Sequence, residues 1–528
     1  MRLEIHHREW GPVTGALAAV TAGAVIVAVA LLVTWLWPDE CQDGLEAVDG
    51  ECVGVTDRAF EVEDPETGKL LREIEKQNDR VRAEYESPSR SPYVRVALKM
   101  PFTYDDTSAM TRDMIRRAVA GALAAQREVN EKAAPHLQLL LAPDGKDLDK
   151  WPTVHEQLSV LAGEKQNPLV GVAGIPSSTS ETREAIDDLS EREIPTVGPT
   201  TTSADMNSRY FFKTSPNNEE FAEALKQYLE RDAHGAEERR PERGFLLYDR
   251  QGTDVYSKNL RKVIGEEFGK TWGLKDSRAP YLGVTGNKKG IPQRFTDAVD
   301  KICKGPDYDT IFFAGRDQDL PAFVEKLADE PCGDGRELRI LKVGIGLDPT
   351  LTSRDTRLDL LDAHARLVNA SSVDTSWWRG GEAPSGVTRF LREFRGLEDT
   401  YELGSRSLDD GYSAMYYDSV QILADAVDYS FDDINKGHEG SPKVPDKDVV
   451  YDTLLDPSID EDRCDECLRG AGGRYGFGFE RSGQNEQWAV CKPVPVLEFG
   501  SGTGPDPKSV DPLYRTYRGT DPDVCPSD

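Results

Sequence analysis

Two clusters of hydroxyl side chains stand at matching offsets from apolar runs. Ser177, Ser178 and Thr179 follow Leu169–Ile175; Thr200, Thr201 and Thr202 follow Ile194–Val197 and Pro199. Hydroxyls beside free N–H groups at the start of a helix are anion-binding chemistry. The alternative is capping, because Ser and Thr are favoured N-cap residues and a cap needs only one hydroxyl. Nothing else in the chain points to catalysis. Its seven histidines are scattered, and HExxH, G-x-S-x-G and P-loop sequences are absent. Asp and Glu number 94, so chance carboxylate pairs are no evidence of an acid–base dyad. A binding site is expected, with no catalytic residue and no cofactor.

The cysteines carry the other candidate chemistry. Cys464 and Cys467 form a CDEC pair that suggests zinc or redox work, but zinc would want a second close pair, and Cys491 and Cys525 stand far apart. All eight cysteines lie beyond the apolar N-terminal stretch, and an even count on an exported chain reads as disulfides. Cys41–Cys52 and Cys303–Cys332 are the natural local pairs; no metal site is expected.

The hydroxyl clusters need elements to hold them. Leu169–Ile175 is short enough to be a strand buried on both faces, Ile186 and Leu189 keep helical spacing, and Ile194–Val197 is a second strand. That is one parallel βαβ unit with both hydroxyl turns at the carboxyl edge of a sheet, where open parallel sheets bind ligands. The alternation recurs. Tyr93–Met100, Leu137–Leu141, Leu169–Ile175 and Ile194–Val197 form one strand series; Phe245–Tyr248, Pro280–Val284, Thr310–Ala314 and Leu341–Ile345 form a second, with helical patterns between. Two series predict an α/β protein of two doubly wound parallel-sheet lobes. An apolar helix, Tyr412–Val427, and a Gly-rich strand, Tyr475–Glu480, come later. From about Gly500 a Gly/Pro/Asp-rich tail is expected to pack poorly.

The 528 residues leave room for both lobes, and a formal net charge of −30 argues against nucleic acid as a partner. Val13–Trp37 is apolar apart from a few threonines and glycines, long enough to cross a bilayer at about 1.5 Å per residue. No A-x-A pattern follows it, and Pro38-Asp39-Glu40 before Cys41 does not suit a lipoprotein site. An uncleaved membrane anchor is expected, with Trp35 and Trp37 at the outer interface, residues 1–12 inside and the bulk of the chain extracytoplasmic. Residues 38–92, dense in charge and ending Ser-Pro-rich, read as a linker and helical stalk.

Several blocks then resemble one family. VGVAGIPSSTSETREAIDDLSEREIPTVGPTTTSADM, RYFFKTSPNNEEFAEALKQYL, YDRQGTDVYSKNLRKVI, DYDTIFFAGRDQDLPAFVEKL, DDGYSAMYYDSVQILADAV and YGFGFERSGQN occur in that order. Their order and content resemble the type I periplasmic binding proteins of the leucine/isoleucine/valine-binding family, over roughly Tyr93 to Phe499. The resemblance implies two lobes joined by three hinge crossings: 93–216 with 365–430 as the first, 217–364 with 431–499 as the second, and 500–528 as a tail. It places a ligand carboxylate at Ser177, Ser178 and Thr179. Thr202 matches the family's ligand-binding threonine, while Thr200 and Thr201 replace small apolar residues. Tyr256 falls near an aromatic of the second lobe, and Asp317 and Asp319 stand where an acidic partner of the ligand ammonium belongs. The first loop departs from the pattern: Pro101-Phe102-Thr103-Tyr104-Asp105 lacks the family's glycine, and Tyr104 would compensate as a cleft aromatic. Trp377 and Trp378 form either an aromatic lid or ordinary packing. The function implied is an anchored solute-binding protein that takes an amino acid or similar small polar ligand for an ABC-type importer and meets its permease subunits. The competing reading is a membrane-tethered sensor or interaction module with the same fold.

Overall fold

The structure is a computed structural model and describes residues 41–88, 90–132, 135–234, 243–286, 295–330, 332, 337–404, 406–437, 440–455, 468–477, 487–500 and 506–516. Val13–Trp37, Cys464, Cys467 and Cys525 lie outside these residues. No helix among the described residues is long and apolar enough to cross a membrane.

Two sheets organise the chain. The first runs, edge to edge, Leu468–Gly470, Gly473–Phe477, Gln487–Val490, Phe211–Lys213, Thr196–Gly198, Leu169–Gly174, Tyr93–Met100 and His136–Pro143. From Gln487–Val490 onward its pairs are parallel. The second runs Lys508–Arg515, Pro493–Gly500, Ala365–Ser371, Leu338–Gly344, Thr310–Ala314, Gly244–Asp249 and Arg278–Tyr281, parallel except at its first two strands. Strands such as Leu169–Gly174 and Thr310–Ala314 are buried throughout, as continuous apolar runs between helix layers must be. The fold is α/β with two parallel-rich lobes.

Several segments sit elsewhere than the chain order suggested. Ala365–Ser371 belongs to the second sheet, in register with Leu338–Gly344 along its whole length. The described residues between 440 and 490 go the other way. Helix Lys447–Leu454 packs into the first lobe's core, and Gln487 pairs with Phe212 of the first sheet. The tail is partly ordered, because Lys508–Arg515 pairs with Pro493–Gly500. The three crossings therefore lie at 214–217, 372–384 and 491–492.

The charged segment before Pro92 is no free stalk. Helix Pro65–Glu86 buries Leu70, Leu71, Ile74 and Val81 against helix Arg112–Glu131 and the edge strand His136–Pro143. Its Asn78 stands in for a neighbouring strand: Nδ2 donates to Leu139 O, and Oδ1 accepts from Leu139 N, both at 2.9 Å. An exposed sheet edge is thereby covered. Ahead of it, the hairpin Leu45–Val48 with Glu51–Gly54 is clipped by Cys41–Cys52. Cys303–Cys332 ties helix Thr296–Lys304 to the chain beyond helix Leu320–Asp329. Cys491 is also disulfide-bonded, to a partner outside the described residues.

Candidate functional site

The first hydroxyl turn is built on an unusual backbone. Gly174 has φ 142°, and a Cβ there would lie 2.0 Å from Lys99 O, so only glycine fits. Ile175 follows at φ 62°, a left-handed conformation that a β-branched residue rarely adopts. Such a residue costs about 1–3 kcal/mol and persists only where its surroundings hold it. Here the second hydroxyl turn does so: Thr201 Oγ1 donates to Ile175 O at 3.2 Å and Thr200 Oγ1 to Pro176 O at 2.7 Å. Thr179 caps helix Ser180–Glu191 in a reciprocal box with Thr182, its Oγ1 accepting from Thr182 N and its N donating to Thr182 Oγ1. The capping alternative thus describes Thr179, while the hydroxyls of Thr200 and Thr201 brace the turn. Ser177 Oγ is different: it is buried with no hydrogen-bond partner among the described residues.

Ser177 faces a small cavity of about 70 Å³ between the lobes. The first lobe lines it with Ala109, Met114, Ser177, Ser178, Thr200 and Thr202, and with Asp410 and Tyr412 at the start of helix Tyr412–Asn435. The second lobe contributes Tyr256, Arg316, Asp317, Gln318, residues 343–346 and Asp348. The lobes touch around it. Tyr256 N donates to Ser178 O at 3.0 Å, Gly286 N to Thr107 O at 2.8 Å, and Leu347 N to Asp409 O at 2.8 Å. The arrangement is a closed one.

Charges in the wall are largely paired. Arg316 forks onto Asp254 at 2.9 and 2.8 Å, and its guanidinium lies 5.3 Å from the Tyr256 ring centre. Tyr256 donates its hydroxyl to Val343 O at 2.9 Å, and burial raises its pKa, so it stays neutral. Asp317 meets Lys342 at 2.8 Å. Asp410 meets Arg117 at 2.7 Å and accepts from Tyr412 N at 3.0 Å. Burial nevertheless pushes Asp410 up to about 6, Arg117 opposing the rise and Asp348 adding to it. Asp348 uses Oδ1 to accept from Thr350 N and Oγ1, at 2.8 and 2.6 Å. Asp254, Asp317, Asp348 and Asp410 thus face Arg316, Lys342 and Arg117, which leaves one carboxylate in surplus. The hydroxyl turn lies on the first lobe's side, with a net-acidic wall opposite: one end suits a carboxylate, the other an amine.

Among the residues singled out from sequence, Ser177, Ser178, Thr200, Thr202, Tyr256 and Asp317 lie in this wall, whereas Thr179 and Thr201 do not line it and serve the cap and the turn. Asp319 points away: fully buried, it accepts from Tyr281 Oη and Val284 N, both at 3.1 Å. Tyr104 is packed against the first lobe's core, outside the wall. Trp377 is buried in that core and Trp378 Nε1 donates to Asp409, so the pair is packing and not a lid. Met114, Asp348, Asp410 and Tyr412 were missed. Asp348 has a legible signal, since it follows the carboxyl end of strand Leu338–Gly344; Asp410 precedes Gly411, whose φ of 76° starts a helix. Among the described residues no group of His, Cys, Asp or Glu is placed to hold a metal ion.

No protein-family model matches the chain, and no curated protein sequence does. Solved structures do. The branched-chain amino acid transporter substrate-binding protein LivJ of Streptococcus pneumoniae, in complex with isoleucine, superposes with a TM-score of 0.54 at 14% identity, covering 80% of this chain and 100% of its own. The leucine-binding protein LivK of Thermotoga maritima gives 0.54 at 13% identity, covering 80% and 99%. An ABC-transporter solute-binding protein of R. palustris, in complex with 4-hydroxybenzoate, gives 0.53 at 13% identity, covering 80% and 97%. The fold is the type I periplasmic-binding-protein fold.

Proposed function

We propose that this chain is a non-enzymatic, extracytoplasmic solute-binding protein that closes its two lobes over an amino acid or a similar small zwitterion. The observation that carries the reading is the Ser177 hydroxyl, buried and unpartnered at a helix start, facing a surplus carboxylate across a closed cleft. A ligand carboxylate would take the hydroxyls of Ser177, Ser178 and Thr202, and its amine would lie against Asp348 and Asp410. The solved structures of this fold named above bind small organic acids, two of them amino acids, which supports the class of ligand. Delivery to an ABC-type permease, and anchoring through Val13–Trp37, complete the proposal. Both rest on the apolar N-terminal segment and on the company the fold keeps.

A thermal-shift screen of the full-length chain against the amino acids tests it. At 100 times its Kd a specific ligand adds about 2.7 kcal/mol to the folded state, a readily measured rise in Tm. Binding of uncharged or purely cationic compounds in preference to zwitterions would refute the carboxylate-and-amine arrangement.

A further inference from the structure

Behind the cleft, on the other side of the 406–411 turn, three arginines converge. Arg379 follows the turn Thr375–Trp378, Arg395 lies in the last turn of helix Ser385–Glu398, and Arg406 opens the segment leading to Asp410. With Trp378 and Leu408 they line a cavity of about 400 Å³. The acids in it differ in kind. Asp409 is buried, accepts from Trp378 Nε1 at 3.2 Å, pairs with Arg379 and lies 3.7 Å from Arg406. Glu398 accepts from Ser407 Oγ. Asp506, by contrast, is 57% exposed and reaches in from the chain's last strand region to meet Arg379 and, at 3.2 Å, Arg406. Arg395 makes no ion pair among the described residues, and Arg379 Nε is buried without a hydrogen-bond partner.

We propose that this arginine-lined cavity binds a small oxyanion of the phosphate class, with the Asp506 carboxylate as its tethered competitor. Guanidinium forks match phosphate oxygens two at a time, and three converging on one space, with five N–H donors each, supply more donors than Asp409 and Asp506 use. An exposed carboxylate gives up little on returning to water, so Asp506 can be displaced. A net charge of −30 disfavours a nucleic acid or an acidic membrane here, because the long-range field repels a polyanion while a small ion is held by local contacts. The cavity adjoins the ligand cleft through consecutive residues: Asp409 faces the arginines and Asp410 the cleft, and Asp409 O accepts Leu347 N from the second lobe. An anion that draws Arg379 from Asp409 therefore acts on the turn that carries a cleft acid, and any effect is reciprocal.

Calorimetric titration of inorganic phosphate into the full-length chain, at ionic strength matched with chloride, tests the site. Saturable binding is expected, with Asp506→Asn tightening it about tenfold and Arg395→Ala weakening it about tenfold, the scale of one charge-assisted hydrogen bond. Acetate should bind more weakly than phosphate. Arg395 is exposed and makes no ion pair among the described residues, so its replacement leaves the fold intact and the result interpretable. Phosphate binding that Asp506→Asn does not tighten, or that Arg395→Ala does not weaken, would reduce the cluster to a salt-bridge staple for the C-terminal segment.

Discussion

In the proposed site Ser177 and Asp410 are the residues to test, because each is buried in a state that a ligand would improve. A buried hydroxyl without a partner is a cost to the folded chain, and a hydrogen bond to a charged ligand group would recover it. Ser177→Ala should therefore weaken ligand binding by about tenfold or more, the worth of one hydrogen bond to a carboxylate, while leaving the ligand-free Tm unchanged or slightly higher. A fall in Tm with unchanged affinity would mean that the hydroxyl serves the fold. Asp410 sets a pH dependence. Burial lifts it from 3.8 to about 6, so the folded state holds this proton more tightly than the unfolded chain does. Its contribution to stability is present below about pH 4 and is lost as pH rises through 6. For binding the sign reverses, because a ligand amine needs the carboxylate ionised. Affinity should drop about tenfold from pH 7 to pH 5, one decade for the pH unit below the pKa, and Asp410→Asn should flatten the profile.

At the level of elements, the site depends on two close approaches. The turn Gly174–Pro176 is held in its left-handed course by the carbonyl bonds from Thr200 and Thr201, so the two hydroxyl turns act as one unit. Helix Tyr412–Asn435, which starts at the cleft, lies directly on helix Arg112–Glu131, which carries Met114 and Arg117. A Cβ on Gly121 would come 2.0 Å from Ser413 O. Gly121→Ala must push the helices apart and should cost about 2–3 kcal/mol, typical of overpacking, read from the denaturation midpoint. Gly265→Ala is the contrast. That exposed glycine in helix Val255–Glu267 has nothing within 4 Å of an added Cβ. It should gain about 0.5–1 kcal/mol by relieving a helix-interior glycine. Equal effects at the two positions would mean that the helix contact is looser than described.

Across the whole molecule, three crossings carry the lobes, and two of them are tied together where Ser215 Oγ meets Ser372 Oγ at 3.0 Å. The third passes through Lys492, buried with its Nζ donating to Gly472 O at 2.8 Å and lying 4.4 Å from the Tyr475 ring centre. Around the cleft the lobes share a limited set of backbone and side-chain bonds, Tyr256 N to Ser178 O among them. On the proposed function, such a clamp would open by hinge rotation at small cost and be closed by ligand contacts made to both halves. Small-angle scattering of the full-length chain should show a smaller radius of gyration with a saturating ligand than without. An identical curve in both states would argue for a rigid, permanently shut module.

The alternation of apolar runs and helical spacing was enough to read two doubly wound lobes, the hydroxyl turns at a sheet's carboxyl edge, and the pairs Cys41–Cys52 and Cys303–Cys332. Each of these is a local property: a strand's burial, a cap or a short-range bridge is written in consecutive residues. What the chain order could not reveal was which sheet each late strand would join. Ala365–Ser371 and Gln487–Val490 each mix apolar with polar residues, and only their long-range partners send one to the second sheet and the other to the first. The same limit hid half of the site. Asp410 reaches the cleft by pairing with Arg117, 293 residues away, and Asp348 by a turn that brings it against the other lobe. Asp319, in a motif that looked right, is turned inward by Tyr281 and Val284. Sequence spacing orders residues along one element; the direction in which a side chain points across a closed cleft is decided by how the elements pack.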